Sequence, residues 1–127
     1  MPEFTSNDIP ALLGYINDNS VVNIFPQNHI SSYAPPDPEY RLGVLVLWTI
    51  ESIRVVSGGE PHVRRFPSQN PFVETKSEPI EWITNHDNVI YDSVRQAYSG
   101  WWAKNKNKKF SSFCNIDPLE NTDYRWH

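Results

Sequence analysis

Histidine, cysteine and the carboxylates are the side chains best able to do chemistry, and the spacing in this chain keeps them apart. His29, His62, His86 and His127 stand singly; none opens an H-x-x-x-H pair and none neighbours Cys114, the one cysteine. Protein-bound zinc takes three or four such ligands, usually at set spacings, so no metal and no cofactor is expected. A thiol nucleophile needs an adjacent base. Cys114 lies instead among Phe110, Phe113 and Ile116, which reads as a half-buried packing thiol. Glu78 with Glu81, and Asp87 with Asp92, are pairs that acid–base catalysis could use. Glu78, Glu81 and Asp87, however, stand where helix N-termini favour negative charge, and capping explains them. No G-x-S-x-G, P-loop or G-x-G-x-x-G is present, and Gly58-Gly59 reads as a helix stop rather than a phosphate cradle. The run KNKNKK at 104–109 follows Trp101-Trp102, a combination that can grip single-stranded nucleic acid by charge and stacking. The tryptophans fall on an apolar helical face, however, and lysines after a helix complement its dipole.

The elements that must position these residues are mainly helical. Residues 5–18 predict a first helix, capped by Ser6 or Asn7, with Ile9, Leu12, Leu13 and Ile16 on one face and Pro10 in the first turn. VVNIF (21–25) is a short β-prone run, and the prolines of SSYAPPD then exclude regular pairing. A helix is predicted from Pro38 to Ser57, with Asp37 as its cap and the Ser57-Gly58-Gly59 stop at its end. Leu42, Leu45, Val46, Thr49, Ile50, Ile53 and Val56 form one broad face and Val44, Trp48 and Val55 a second stripe, leaving Arg41, Glu51, Ser52 and Arg54 for water. A strand is the competing reading, but alternation fails at Leu45–Trp48 and the length is excessive.

Residues 60–77 read as a long loop that either hides a strand, HVRRF (62–66), or is ordered for function. SEPIEWIT (77–84) resembles a short helix start, with Ile80, Trp82 and Ile83 inward. Residues 87–105 predict a helix capped by Asp87. Ile90, Tyr91, Val94, Ala97, Tyr98, Trp101 and Trp102 would lie on its apolar side, and Asp92, Arg95, Gln96 and Ser99 opposite. The tail is too apolar to be free, and is expected to fold back over the helices with a turn at Asp117-Pro118. The fold class is therefore mainly α: a single compact helical domain over 1–127, with one or two short strands or extended segments and long ordered loops.

Composition agrees. A hydrophobic fraction of 39% and an aromatic fraction of 13% can build a core without disulfides. A lone cysteine fits a reducing compartment, MPEFTSNDIP is unlike a leader, and no apolar run has the length of a membrane span. A cytoplasmic protein with no membrane partner is expected. The net charge of −4 argues against nucleic acid and suits a basic protein partner.

The C-terminal segment carries the order A-Y-x-x-W-W, a basic or polar stretch, a phenylalanine, then D-P-L-x-x-T-x-Y-x-W: Ala97, Tyr98, Trp101, Trp102, Phe110, Asp117, Pro118, Leu119, Thr122, Tyr124 and Trp126. This resembles the C-terminal part of small bacterial immunity proteins of polymorphic toxin systems, those of contact-dependent inhibition or type VI secretion. The resemblance implies a non-catalytic protein that binds and occludes a cognate toxin domain, itself commonly basic, through acids and aromatics. The candidate contacts are exposed acids near loops: Asp37, Glu39, Glu60, Glu74, Glu78, Glu81 and Asp92. Two alternatives stay open, a small enzyme whose site assembles only in space and a regulatory or nucleic-acid-binding module. Oligomeric state and the toxin's identity are not legible.

Overall fold

The computed structural model describes residues 4–22, 40–58, 71–85 and 87–127. The architecture is mainly helical with short two-stranded sheets. A 3-10 turn, Ser6–Asp8, leads into α1 (Ile9–Leu13); β1 (Val21–Val22), β2 (Tyr40–Arg41) and α2 (Leu42–Gly58) follow, then β3 (Val73–Thr75), α3 (Asn88–Asn105), α4 (Phe110–Phe113) and β4 (Tyr124–Trp126). β1 pairs antiparallel with β2, and β3 with β4.

The first helix is shorter than its periodicity predicts. Ser6 and Asn7 do not cap it but lie within the 3-10 turn, whose cap is Thr5, with the Asp8 carboxylate accepting the Thr5 N–H at 2.8 Å. Past Leu13 the chain closes tighter turns, Gly14 N–H donating to Ala11 O and Tyr15 N–H to Leu12 O, and two later carbonyls hold other elements. Ile16 O accepts Arg95 Nε–H at 2.8 Å, and Asp18 O accepts the Gly43 N–H at 2.7 Å. Ile9 and Ile16 still reach the core.

α2 begins four residues later than its proline signal indicates. Tyr40 and Arg41 are extended, pairing with Val22 and Val21, so the helix does not start at Pro38. Asp37 and Pro38 themselves lie outside the described residues. Loop carbonyls replace the expected side-chain cap: Ser20 O accepts Leu42 N–H and Asp18 O accepts Gly43 N–H, which satisfies donors a helix start leaves open. The Gly58 end agrees with the sequence. α2 is buried on most of its circumference, with Val44, Leu47 and Ile50 fully enclosed, each contributing about 1.5–3 kcal/mol on burial. They share one core cluster with Tyr91, Val94, Tyr98 and Trp101 of α3, and with Phe113 and Leu119 of the returning tail. Two residues assigned to water are inside it: Glu51 and Ser52 are buried. Ser52 is satisfied by donating to Trp48 O at 3.0 Å, the back-bond a mid-helix serine can make.

α3 forms as its pattern requires, with Asp87 Oδ1 accepting the Ile90 N–H at 3.2 Å. One side chain departs from the pattern. Arg95, expected opposite the apolar face, is buried, donating to Ile16 O and to Asp92 Oδ1. The tail folds back as expected, and Asp117 Oδ1 accepts Leu119 N–H at 2.9 Å to make its turn.

The expected short helix at 77–84 is absent. The segment returns extended along β3: Thr75 N–H donates to Glu81 O and Ile83 N–H to Val73 O, with a bridge between Glu74 and Trp82. Backbone groups that a helix would pair internally are taken by β3. The strand hidden in the long loop is Val73–Thr75; HVRRF lies outside the described residues, as do residues 23–25 of VVNIF. No helix of the described residues is long and apolar enough to cross a membrane.

Candidate interaction surface

β3 is flanked on one side by β4 and on the other by residues 81–83. Directly opposed residues of a sheet face the same way, so Arg125, Glu74 and Trp82 form a row across the three segments. Strand alternation then divides the tail. Trp126 turns inward, its Nε1–H donating to Tyr98 Oη at 3.0 Å. Arg125 and His127 turn outward to the Glu74 carboxylate, at 2.8 Å from Arg125 Nε and 2.9 Å from His127 Nδ1. The His127 ring stacks on Phe72 with centroids 5.0 Å apart and stands 5.2 Å from Trp82. Burial pushes the Glu74 carboxyl up, but the hydrogen bonds and charges of Arg125 and His127 prevail and hold it below the ordinary carboxylate range.

Beneath this face lies a buried polar node. Glu51 accepts from Arg54 through both oxygens and from the Tyr98 hydroxyl. Arg54 also donates to Cys114 O at 2.9 Å. Burial raises the Glu51 carboxyl above its usual value, against the pull of Arg54 and Tyr98, and burial beside Glu51 raises the Tyr98 phenol well above its own. The node ties α2, α3, α4's end and β4 together. Its polar atoms face one another, an arrangement that holds elements rather than receives a ligand.

The candidate acids divide. Glu74 is not an exposed contact: its side chain is enclosed and ion-paired. Glu78 and Glu81 are exposed on the return segment, and neither carboxylate has an ion-pair partner among the described residues. Asp92 is exposed on α3 and bonded to Arg95, apart from that segment in sequence and in element. Asp37, Glu39 and Glu60 lie outside the described residues. Of the histidines, only His127 is described, and the fold gives it the carboxylate that its sequence neighbours do not. Cys114 is fully buried, deeper than its sequence indicates, with Sγ toward Ser111 O at 3.8 Å. No group of three metal-ligating side chains exists among the described residues.

Trp82 was the residue least expected here. Read as inward on a helix, it is 45% exposed, because in an extended segment it alternates with the buried Ile83. Arg125 and His127 were legible only in retrospect, as alternate residues of Y-R-W-H.

No curated protein and no solved structure matches the chain. A family model described as a domain of unknown function, DUF4943, matches residues 1–127, and the chain belongs to that family.

Proposed function

We propose that this chain is a non-catalytic binding protein that neutralises a bacterial toxin domain by occluding it, and that it docks through the outer face of β3–β4 with the segment 77–82. The observation that supports this most is Trp82: a large ring, 45% exposed, set against His127 and anchored by backbone bonds to β3. Rigid, partly exposed aromatics are the commonest interface anchors. Glu78 and Glu81 stand beside it in the chain, exposed and with no ion-pair partner among the described residues, which suits a basic partner and would steer its approach. The choice of a toxin domain as that partner rests on the resemblance of the C-terminal segment.

Co-expression with the toxin-domain protein encoded beside it is the test. The two should co-purify, and toxin activity should fall to background in an excess of the chain. Trp82→Ala should weaken the complex by about 2 kcal/mol or more, mainly through faster dissociation. Glu78→Lys with Glu81→Lys should instead slow association and flatten its salt dependence. Full toxin activity in the presence of excess chain would overturn the reading.

A further inference from the structure

We infer that the corner between α3 and α4 is a docking surface for an anionic phospholipid layer. From Ser93 to Ile116 the chain has no acid, while four of its five lysines, Lys104, Lys106, Lys108 and Lys109, fall inside that stretch. All four are exposed. The other described cations are engaged internally: Arg54 with Glu51, Arg95 with Asp92, Arg125 with Glu74, Arg41 with Asn19 O, and Lys76 with the carbonyls of Leu119 and Glu120. Of the four lysines, Lys108 donates to Asn105 Oδ1 at 3.1 Å, and none forms an ion pair among the described residues. The helix dipole accounts for Lys104, in the last turn of α3, and for Lys106, its C-cap, but not for Lys108 and Lys109 beyond them.

A molecule of net charge −4 adsorbs to an anionic surface through a basic stretch when the acids that bound that stretch are screened from it. Asp92 is twelve residues before Lys104 on α3, roughly 18 Å along the axis, against a Debye length of about 8 Å at physiological salt. Asp117, which ends the acid-free stretch, follows the C-terminal end of α4, whereas Lys109 precedes its N-terminal end. The chemistry favours lipid over nucleic acid. Phosphate and base recognition draws on arginine forks and open aromatic faces, and the exposed cations of this corner, Lys104, Lys106, Lys108 and Lys109, include no arginine. The Trp101 ring is buried between Tyr98, Phe110 and Phe113. Trp102 and Phe110 remain half-buried at the edge of the basic run, the amphipathic placement that suits a headgroup layer. The want of a spanning helix bears on insertion, not on adsorption to a charged surface.

Sedimentation of the full chain with phosphatidylcholine vesicles, with and without phosphatidylserine, tests this. The chain should co-sediment only with vesicles holding phosphatidylserine, and high salt should release it. Each lysine at such a surface contributes roughly fivefold in affinity. Lys104→Gln with Lys106→Gln and Lys109→Gln, which spares the Lys108 bond, should therefore lose about a hundredfold, while replacement of the same three by arginine should retain binding. Three outcomes would overturn the proposal: no co-sedimentation of the wild-type chain with phosphatidylserine vesicles at low salt, unchanged binding by the glutamine variant, or tighter binding to DNA than to those vesicles.

Discussion

Glu51 and Glu74 are both buried carboxylates, and they serve stability in opposite senses. Glu51 is enclosed with Arg54 and Tyr98. Removing one partner of a buried pair leaves the other charge uncompensated, which costs about 3–5 kcal/mol, whereas replacing both with apolar groups of similar size is often near neutral. Glu51→Leu should accordingly lower the denaturation midpoint sharply, and Glu51→Leu with Arg54→Met should recover most of that loss. Equal destabilisation by the single and the double variant would show that the node acts through packing alone. Glu74 is held below the ordinary carboxylate range, after opposing burial, by Arg125 and His127. A depressed folded pKa means stability that is present above the unfolded value, about 4.3 for glutamate, and lost as pH falls through the lower folded one. Glu74→Gln should be less stable than wild type at neutral pH, and the gap should close on the acid side as wild-type Glu74 takes up its proton. For Glu51, whose carboxyl is raised chiefly by burial, the sign reverses: its contribution is present at low pH and diminishes as pH rises through the folded value. Denaturation midpoints followed from neutral to acid for both glutamine variants separate the two effects.

The two long helices place these residues, and a glycine in each shows what the placement demands. A Cβ on Gly43 would stand 2.3 Å from Ile16 O and 2.9 Å from Asp18 O. Those are backbone atoms fixed by their own hydrogen bonds, so Gly43→Ala must push α1's exit off α2, at about 1–3 kcal/mol for overpacking of this kind. Gly100 on α3 has nothing within 4 Å of such a Cβ, and Gly100→Ala should stabilise by roughly 0.5–1 kcal/mol through lost unfolded-state entropy. Thermal midpoints should move in opposite directions; a neutral Gly43→Ala would mean that α1's exit is not fixed where the structure has it. Nothing in the sequence distinguishes these two glycines, since a close approach is a property of neighbours. The same holds for the misread residues. Apolar periodicity and Asp87 disclosed both helices because those signals are local. Besides the near partners Arg54 and Asp92, Glu51 and Arg95 are satisfied by Tyr98 and Ile16 O, far along the chain, and no local pattern marks them as interior. Residues 77–84 were misread because first-turn acids look alike whether the backbone coils or pairs with a strand. Two of the seven candidate acids, Glu78 and Glu81, are exposed on the segment that carries Trp82, while Glu74 serves the sheet and Asp92 serves Arg95.

From residue 78 to the end of α3 the charges are segregated, and a net value of −4 for the whole chain conceals it. Glu78, Glu81, Asp87 and Asp92 lie in and before the N-terminal half of α3, and the lysines gather at its other end. The 18 residues of α3 separate the two ends by about 27 Å. At about 0.1 M salt the Debye length is roughly 10 Å, so a charged support senses the nearer end and little of the other. The chain should then be held at pH 7 by a sulfonate cation exchanger as well as by a quaternary-amine resin, although a pI near 5.5 predicts retention by the second alone. Screening shortens to about 3 Å at 1 M salt, and both supports should release the chain before that. Lys104→Gln with Lys106→Gln and Lys109→Gln should abolish retention on the sulfonate resin and lengthen it on the amine resin. Glu78→Gln with Glu81→Gln should shorten retention on the amine resin. Passage of the wild-type chain straight through the sulfonate column would mean that the lysines' field is cancelled by nearby acids, and would remove the electrostatic basis for adsorption at that end.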